Sequence, residues 1–182
     1  MESEFWHERW RQNLTGFHQP HINAHLKTFW PRVSVAPGER VFVPLCGKSL
    51  DMLWLRDAGH PVLGVELSPL AVEAFFVENG LEYSQHTENG FTLYESGRIQ
   101  LLCGDFFDLQ PEQLRGAHAV YDRASLIALP PAMRARFVAH LNRLLPAPVS
   151  MLLVTLEYDQ TQMQGPPFAV SEQEVGELFT PG

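Results

Sequence analysis

Three things are scarce in this sequence. Cysteine occurs twice, at Cys46 and Cys103. Two distant thiols do not make a disulfide framework, so a reducing compartment fits and a cytoplasmic location is expected. Positive charge is short: 13 Lys and Arg face 21 Asp and Glu, giving a formal net charge of −8. That balance speaks against nucleic acid and against an anionic membrane surface as partners. Long apolar runs are missing. No stretch approaches the ~20 residues of a membrane helix, and the acidic start Met1-Glu2-Ser3-Glu4 does not have the basic opening of a secretory signal. Internal repeats and low-complexity tracts are also missing.

What remains is a chain of 182 residues with 45% hydrophobic content. That is enough for one ordered domain with one core. A single domain over 1–182 is expected, with a helical cover at 1–35 and an α/β core at 36–182. Trp6, Trp10 and Leu14 recur every four residues and predict an amphipathic helix that Gly16 ends. A second helical piece is expected over Ala24–Trp30.

From Arg40 onward strands and helices alternate. Arg40–Leu45 and Pro61–Leu67 read as buried strands. Ser49 and Ser68 stand as N-caps before helices, the second with Pro69 at its first position. Phe91–Tyr94 and Arg98–Cys103 flank a turn at Glu95-Ser96-Gly97. Ala119–Asp122 and the apolar Ser150–Glu157 complete the strands. Pro130-Pro131 opens a helix carrying Met133, Phe137, Leu141 and Leu144, which Pro146 and Pro148 close. Ser171 begins a last helix.

This order predicts a doubly wound, mostly parallel α/β sheet of Rossmann-like kind. Ligands bind such sheets beyond the carboxyl ends of the strands. Chemistry is therefore expected at Leu45–Ser49, Glu66, Cys103–Phe106, Asp122–Ser125 and Glu157–Asp159.

The first of these segments, Leu45-Cys46-Gly47-Lys48-Ser49, lets backbone approach a ligand at Gly47. It lacks the earlier glycine of a phosphate loop, since residue 42 is Phe, and it lacks G-x-G-x-x-G. Glu66 follows Gly47 by nineteen residues. A carboxylate at that spacing can accept both ribose hydroxyls of a nucleoside, or can simply be solvated.

The pair alone does not separate S-adenosylmethionine from NAD. The missing glycines and the small size favour S-adenosylmethionine. An NAD-linked oxidoreductase and a noncatalytic nucleoside-binding domain stay as alternatives. Asp105 can accept from an adenine amino group. Phe106 either packs on that ring or belongs to the core. Arg123 can meet a carboxylate, contact the acceptor, or pair with Asp122 or Asp105. Asp159 is a weaker positioning candidate. Gly165-Pro166-Pro167-Phe168 forms a pocket wall or a rigid connector. His18, His21 and His25 lie close in sequence without a companion motif, so no metal site is expected.

Val41-Phe42-Val43-Pro44-Leu45-Cys46-Gly47-Lys48-Ser49, Gly64-Val65-Glu66-Leu67-Ser68, Asp122-Arg123-Ala124 and Gly165-Pro166-Pro167-Phe168 occur in that order after Phe5-Trp6…Arg9-Trp10. Together they resemble the thiopurine S-methyltransferase family. The resemblance implies a methyltransferase fold with S-adenosyl-L-methionine as donor. It implies cofactor contacts from Trp10, Leu45, Glu66 and Arg123, beside Gly47, Asp105 and Phe106. It implies S-methylation of aromatic and heterocyclic thiols, and for bacterial members activity on selenium or tellurium compounds and tellurite resistance. A monomer acting on a small thiol or metalloid acceptor, with no dedicated catalytic nucleophile, is expected. The resemblance also implies closing strands after Gly182, so a truncated form is expected.

Overall fold

A computed structural model describes residues 3–145 and 149–180. The expected helix stop at Pro146 and Pro148 lies outside the described residues, as do Met1-Glu2 and Pro181-Gly182.

Strand β1 (Arg40–Val43) is the middle one of five parallel strands in the sheet. Val41 and Val43 go to one core cluster and Phe42 to the other, as alternation along a strand requires. Because both faces are covered, the strand reads as an unbroken apolar run. The same holds for β2 (Val62–Glu66), all five residues of which are buried.

The full sheet has the order β3-β4-β5-β2-β1-β6-β7. Its parallel part comprises β5 (Ile99–Cys103), β2, β1, β6 (Ala117–Asp122) and β7 (Ser150–Leu153). The chain winds outward from β1 to β2 and β5, then returns to the other side for β6 and β7. The doubly wound architecture is thus present, with its switch point between β1 and β6.

Helices cover both faces. α2 (Ala24–Phe29), α3 (Asp51–Asp57) and α4 (Pro69–Glu78) pack Leu26, Leu55, Phe75 and Phe76 into one cluster. α6 (Pro131–Leu144) and α7 (Glu172–Phe179) supply Phe137, Leu141 and Leu178 to the other. Each fully buried Leu or Phe contributes ~1.5–3 kcal/mol relative to exposure. Between α6 and α7, Arg134 is almost fully buried. Its Nε donates to the carbonyls of Leu126 and Leu129 at the end of α5 (Ser125–Ala128), and its Nη1 meets Glu174 at 2.6 Å. A charge can stay there because it is paired and hydrogen-bonded.

Several expectations need correction. Helix α1 (Ser3–Arg11) ends before Leu14, which is half exposed. Asn13 takes a left-handed conformation, and the N–H groups of Asn13 and Leu14 fold back on Trp10 and Arg9. That is a Schellman stop reached before Gly16. The last residue of the expected second helix, Trp30, opens a 3₁₀ turn instead.

Ser49 does not cap α3. The helix starts at Asp51, whose N–H reaches Ser49 Oγ at 3.3 Å. Ser68 precedes α4, but its hydroxyl accepts nothing from the helix. β7 stops at Leu153 rather than Glu157, because its partner β6 ends at Asp122. Finally, β3 (Ser84–Glu88) was not expected. It is wholly exposed and polar and pairs antiparallel with β4 (Phe91–Ser96).

Candidate active site

The carboxyl ends of all five parallel strands line one cavity of about 720 Å³. That size suits a small-molecule site. Leu45–Ser49 come from β1, Glu66-Leu67 from β2, Asp105–Phe107 from β5, Arg123-Ala124 from β6 and Val154–Leu156 from β7. The N-terminal segment closes the cavity from above with Trp6, Arg9, Trp10 and Phe17. The indoles of Trp6 and Trp10 both meet Phe17 edge-on, at 5.7 and 5.4 Å.

The β1 turn is unusual in its backbone. Leu45 has φ +44° and Gly47 φ +52°. A left-handed leucine is disfavoured by ~1–2 kcal/mol, and such outliers gather where a ligand site constrains the chain. A Cβ added at Gly47 would lie 3.4 Å from the Trp10 ring, so the cover packs directly on this turn. Beneath it, Gly64 makes room for Cys46, whose Sγ would stand 2.8 Å from a Cβ at 64.

Glu66 is buried and ties the turn together. One carboxylate oxygen accepts the Gly47 N–H and the other accepts the Ser68 N–H, both at 2.9 Å. Each oxygen keeps a second lone pair for another donor. Burial pushes the Glu66 carboxyl up from its ordinary range, and the N–H groups of Ser68, Gly47 and Leu67 oppose that shift.

Arg123 is not paired with Asp122 or Asp105. Its Nε donates to Asp51 Oδ2 at 3.0 Å. Asp51 is buried at the N-terminus of α3. Its Oδ2 also accepts from the Tyr121 hydroxyl at 2.8 Å, and its Oδ1 accepts from the Asn23 backbone N–H at 2.7 Å. One carboxylate therefore joins the cover, α3 and β6. Burial first, and Asp51 second, push the Tyr121 hydroxyl far up, so it stays a neutral donor.

Asp105 lines the cavity, with one oxygen accepting the Phe107 N–H at 2.8 Å. Phe106 also borders it, yet its ring is buried and packs 4.7 Å from Phe137 in the core. The neighbouring Phe107 is the half-buried ring, with the Arg136 guanidinium 4.1 Å from its centroid. Pro166 and Pro167 do form part of the wall. Asp159 does not. Its side chain is exposed and accepts from Thr161 N and Oγ1, capping a 3₁₀ turn away from the cavity.

The two thiols are poor nucleophiles. Burial pushes the Cys46 thiol well above its ordinary value, and raises Cys103 to about 11. Burial, and then Lys48, lower His18, keeping a cavity-lining imidazole neutral. Among the described residues no group of three or more His, Cys, Asp or Glu side chains could hold a metal ion. No helix among them is long and apolar enough to cross a membrane.

A model of the thiopurine S-methyltransferase family matches residues 1–182. The chain belongs to that family. It is 57% identical over 182 residues to the thiopurine S-methyltransferase of Methylococcus capsulatus, covering 100% of this chain and 82% of the relative. To that of Nitrosospira multiformis it is 55% identical over 179 residues, covering 98% and 81%. Among solved structures, a SAM-dependent methyltransferase from Anabaena variabilis is similar in fold. Its TM-score is 0.68 at 16% identity, covering 97% of this chain and 79% of that one. A Haemonchus contortus phosphoethanolamine N-methyltransferase 2, solved with S-adenosylhomocysteine, shares the fold at TM-score 0.59 and 14% identity, over 84% of this chain and 35% of that one.

Like the rest of the thiopurine S-methyltransferase family, this chain is a methyltransferase that uses S-adenosyl-L-methionine. Membership sets aside the NAD-linked and noncatalytic alternatives. The cavity fits the cofactor on its own chemistry. It offers a buried carboxylate with unused acceptor capacity, backbone drawn close at Gly47, and no phosphate-binding glycine pattern.

Sequence reasoning missed Asp51, Tyr121, Phe17 and Phe107. Phe107 and Tyr121 adjoin segments already singled out. Asp51 is an ordinary first-turn acid whose burial only the fold reveals.

Proposed function

We propose that the enzyme methylates the sulfur of aromatic and heterocyclic thiols, thiopurines among them. The observation that carries this is the shared cavity: the Glu66 carboxylate pinned under the Gly47 turn, with the Arg123 guanidinium on the same rim. Glu66 receives the ribose hydroxyls. Trp10 and Leu45 enclose the cofactor, and Asp105 accepts from the adenine amino group. Arg123 faces an anionic group of cofactor or acceptor with the terminal nitrogens that its Nε–Asp51 bond leaves over. Bound S-adenosylmethionine supplies an electrophilic methyl group.

The chain's own residues do the rest. The aromatic cover of Trp6, Trp10 and Phe17 excludes water, which strengthens attraction between a cationic donor and an anionic acceptor. Aryl thiols ionise readily, so no strong base is required and no nucleophile is needed on the protein. Positioning in such a site supplies up to ~7–11 kcal/mol in favourable models. Residues 1–35 act as the cover and 36–182 as the core of a single domain.

The test is an acceptor screen with S-adenosylmethionine, following S-adenosylhomocysteine release with thiopurines, aryl thiols, alkyl thiols and selenium or tellurium compounds. Turnover of aromatic thiols above alkyl thiols is expected. Failure of every aromatic thiol, with cofactor bound, overturns the acceptor assignment.

A further inference from the structure

Asp51 is buried beside the cavity-lining Arg123 and takes part in no step described above. Three donors from separate parts of the chain converge on it: the Asn23 N–H on Oδ1, and the Tyr121 hydroxyl and Arg123 Nε–H on Oδ2. Its relative exposure is 1%, and the Arg123 side chain is 14% exposed. A buried carboxylate with this many donors is held rigidly, because moving it would strand each of them. The guanidinium is a planar fork of five N–H groups. With Nε fixed on Asp51, its orientation at the cavity rim is set and its terminal nitrogens remain for a ligand.

The geometry points to Asp51 as the positioning residue of the active site, holding the Arg123 guanidinium in its working orientation. The inference rests on Arg123 being part of the site, as proposed above. Two features of the chemistry sharpen it. An asparagine at 51 presents one acceptor and one donor group, so it cannot satisfy donors on both sides. A lysine at 123 keeps the charge but has one ammonium, which cannot serve as both anchor and fork.

The experiment is a double-mutant cycle on the full chain, with kcat and KM for S-adenosylmethionine and a thiopurine read separately. The variants are Asp51→Asn, Arg123→Gln, the pair, and Arg123→Lys, with Tyr121→Phe as comparator. Tyr121→Phe removes one bond from the same carboxylate without touching the guanidinium. Thermal melts report folding.

Asp51→Asn is expected to lower kcat/KM at least tenfold where Arg123 is present and less than twofold in the Arg123→Gln background. Arg123→Lys should stay within about threefold of Arg123→Gln. Tyr121→Phe should lose less than threefold. An equal loss from Asp51→Asn in both backgrounds marks a purely structural role and overturns the proposal, as does wild-type activity of folded Asp51→Asn. If Asp51→Asn does not fold, Arg123→Lys decides: wild-type kinetics there show that a tethered fork is not needed. Wild-type kinetics of Arg123→Gln would remove Arg123 from the site and the Asp51 role with it, an outcome distinct from loss of the Asp51 coupling alone.

Discussion

The Glu66 carboxylate accepts the backbone N–H of Gly47 at 2.9 Å, joining the ends of two adjacent parallel strands. The same carboxylate shapes the turn and keeps a lone pair on each oxygen for a further donor. Substituting glutamine puts a donor where one of two N–H groups must be accepted.

Glu66→Gln should therefore weaken S-adenosylmethionine binding by ~1–3 kcal/mol, roughly fivefold to 150-fold. Isothermal calorimetry measures it directly. An unchanged Kd in a folded variant would exclude Glu66 from ribose binding.

Asp122 gives a pH signature. Burial raises its carboxyl to about 6 from an ordinary 3.8, against the pull of Ser125, Ala124 and Arg123. One oxygen accepts the Ala124 and Ser125 N–H groups while the other is buried without a partner. The fold thus holds a proton that the unfolded chain releases. The associated stability is full below about pH 4 and is lost as pH rises towards about 6. Urea unfolding of wild type against Asp122→Asn should show a stability difference that changes by on the order of 3 kcal/mol across that window. A pH-independent difference would refute the shift.

Two glycines should respond in opposite directions to alanine. At Gly64 a Cβ would stand 2.6 Å from Leu101 Cδ2 and 2.8 Å from Cys46 Sγ, so Gly64→Ala should destabilise by about 1–3 kcal/mol. At Gly176, inside α7, nothing lies within 4 Å of the added methyl. Gly176→Ala should stabilise by ~0.5–1 kcal/mol. Thermal melts would show both, and equal signs would contradict the packing.

Arg134→Leu should cost about 2–4 kcal/mol, because it removes the buried donor to the Leu126 and Leu129 carbonyls and the partner of the partly exposed Glu174. Arg134→Lys should recover less than half, lacking the fork. A shift in urea midpoint at constant m-value is the readout.

The parallel core was legible because strands buried on both faces announce themselves. Val41-Phe42-Val43 and Val62–Val65 could hardly be anything else. The binding edge follows from topology, which points to Gly47, Glu66 and Arg123 from the order of strands and helices. What escaped notice had no local signal. Strand β3 has no apolar alternation and exists only because β4 offers it an edge. Asp159 follows an apolar run, yet β7 ends six residues earlier because β6 gives it no further partner. The Asp51 network joins residues 28, 70 and 72 positions apart, a distance that no sequence pattern spans.

Cys46 carries a consequence of its own. It lies in the turn beside Glu66, within the wall of the cavity, with its thiol held protonated by burial. A methyltransferase that uses S-adenosyl-L-methionine thereby keeps a sulfur of its own in the wall of its cavity. Because only the thiolate attacks readily, the burial that keeps this thiol protonated also guards the turn against alkylation.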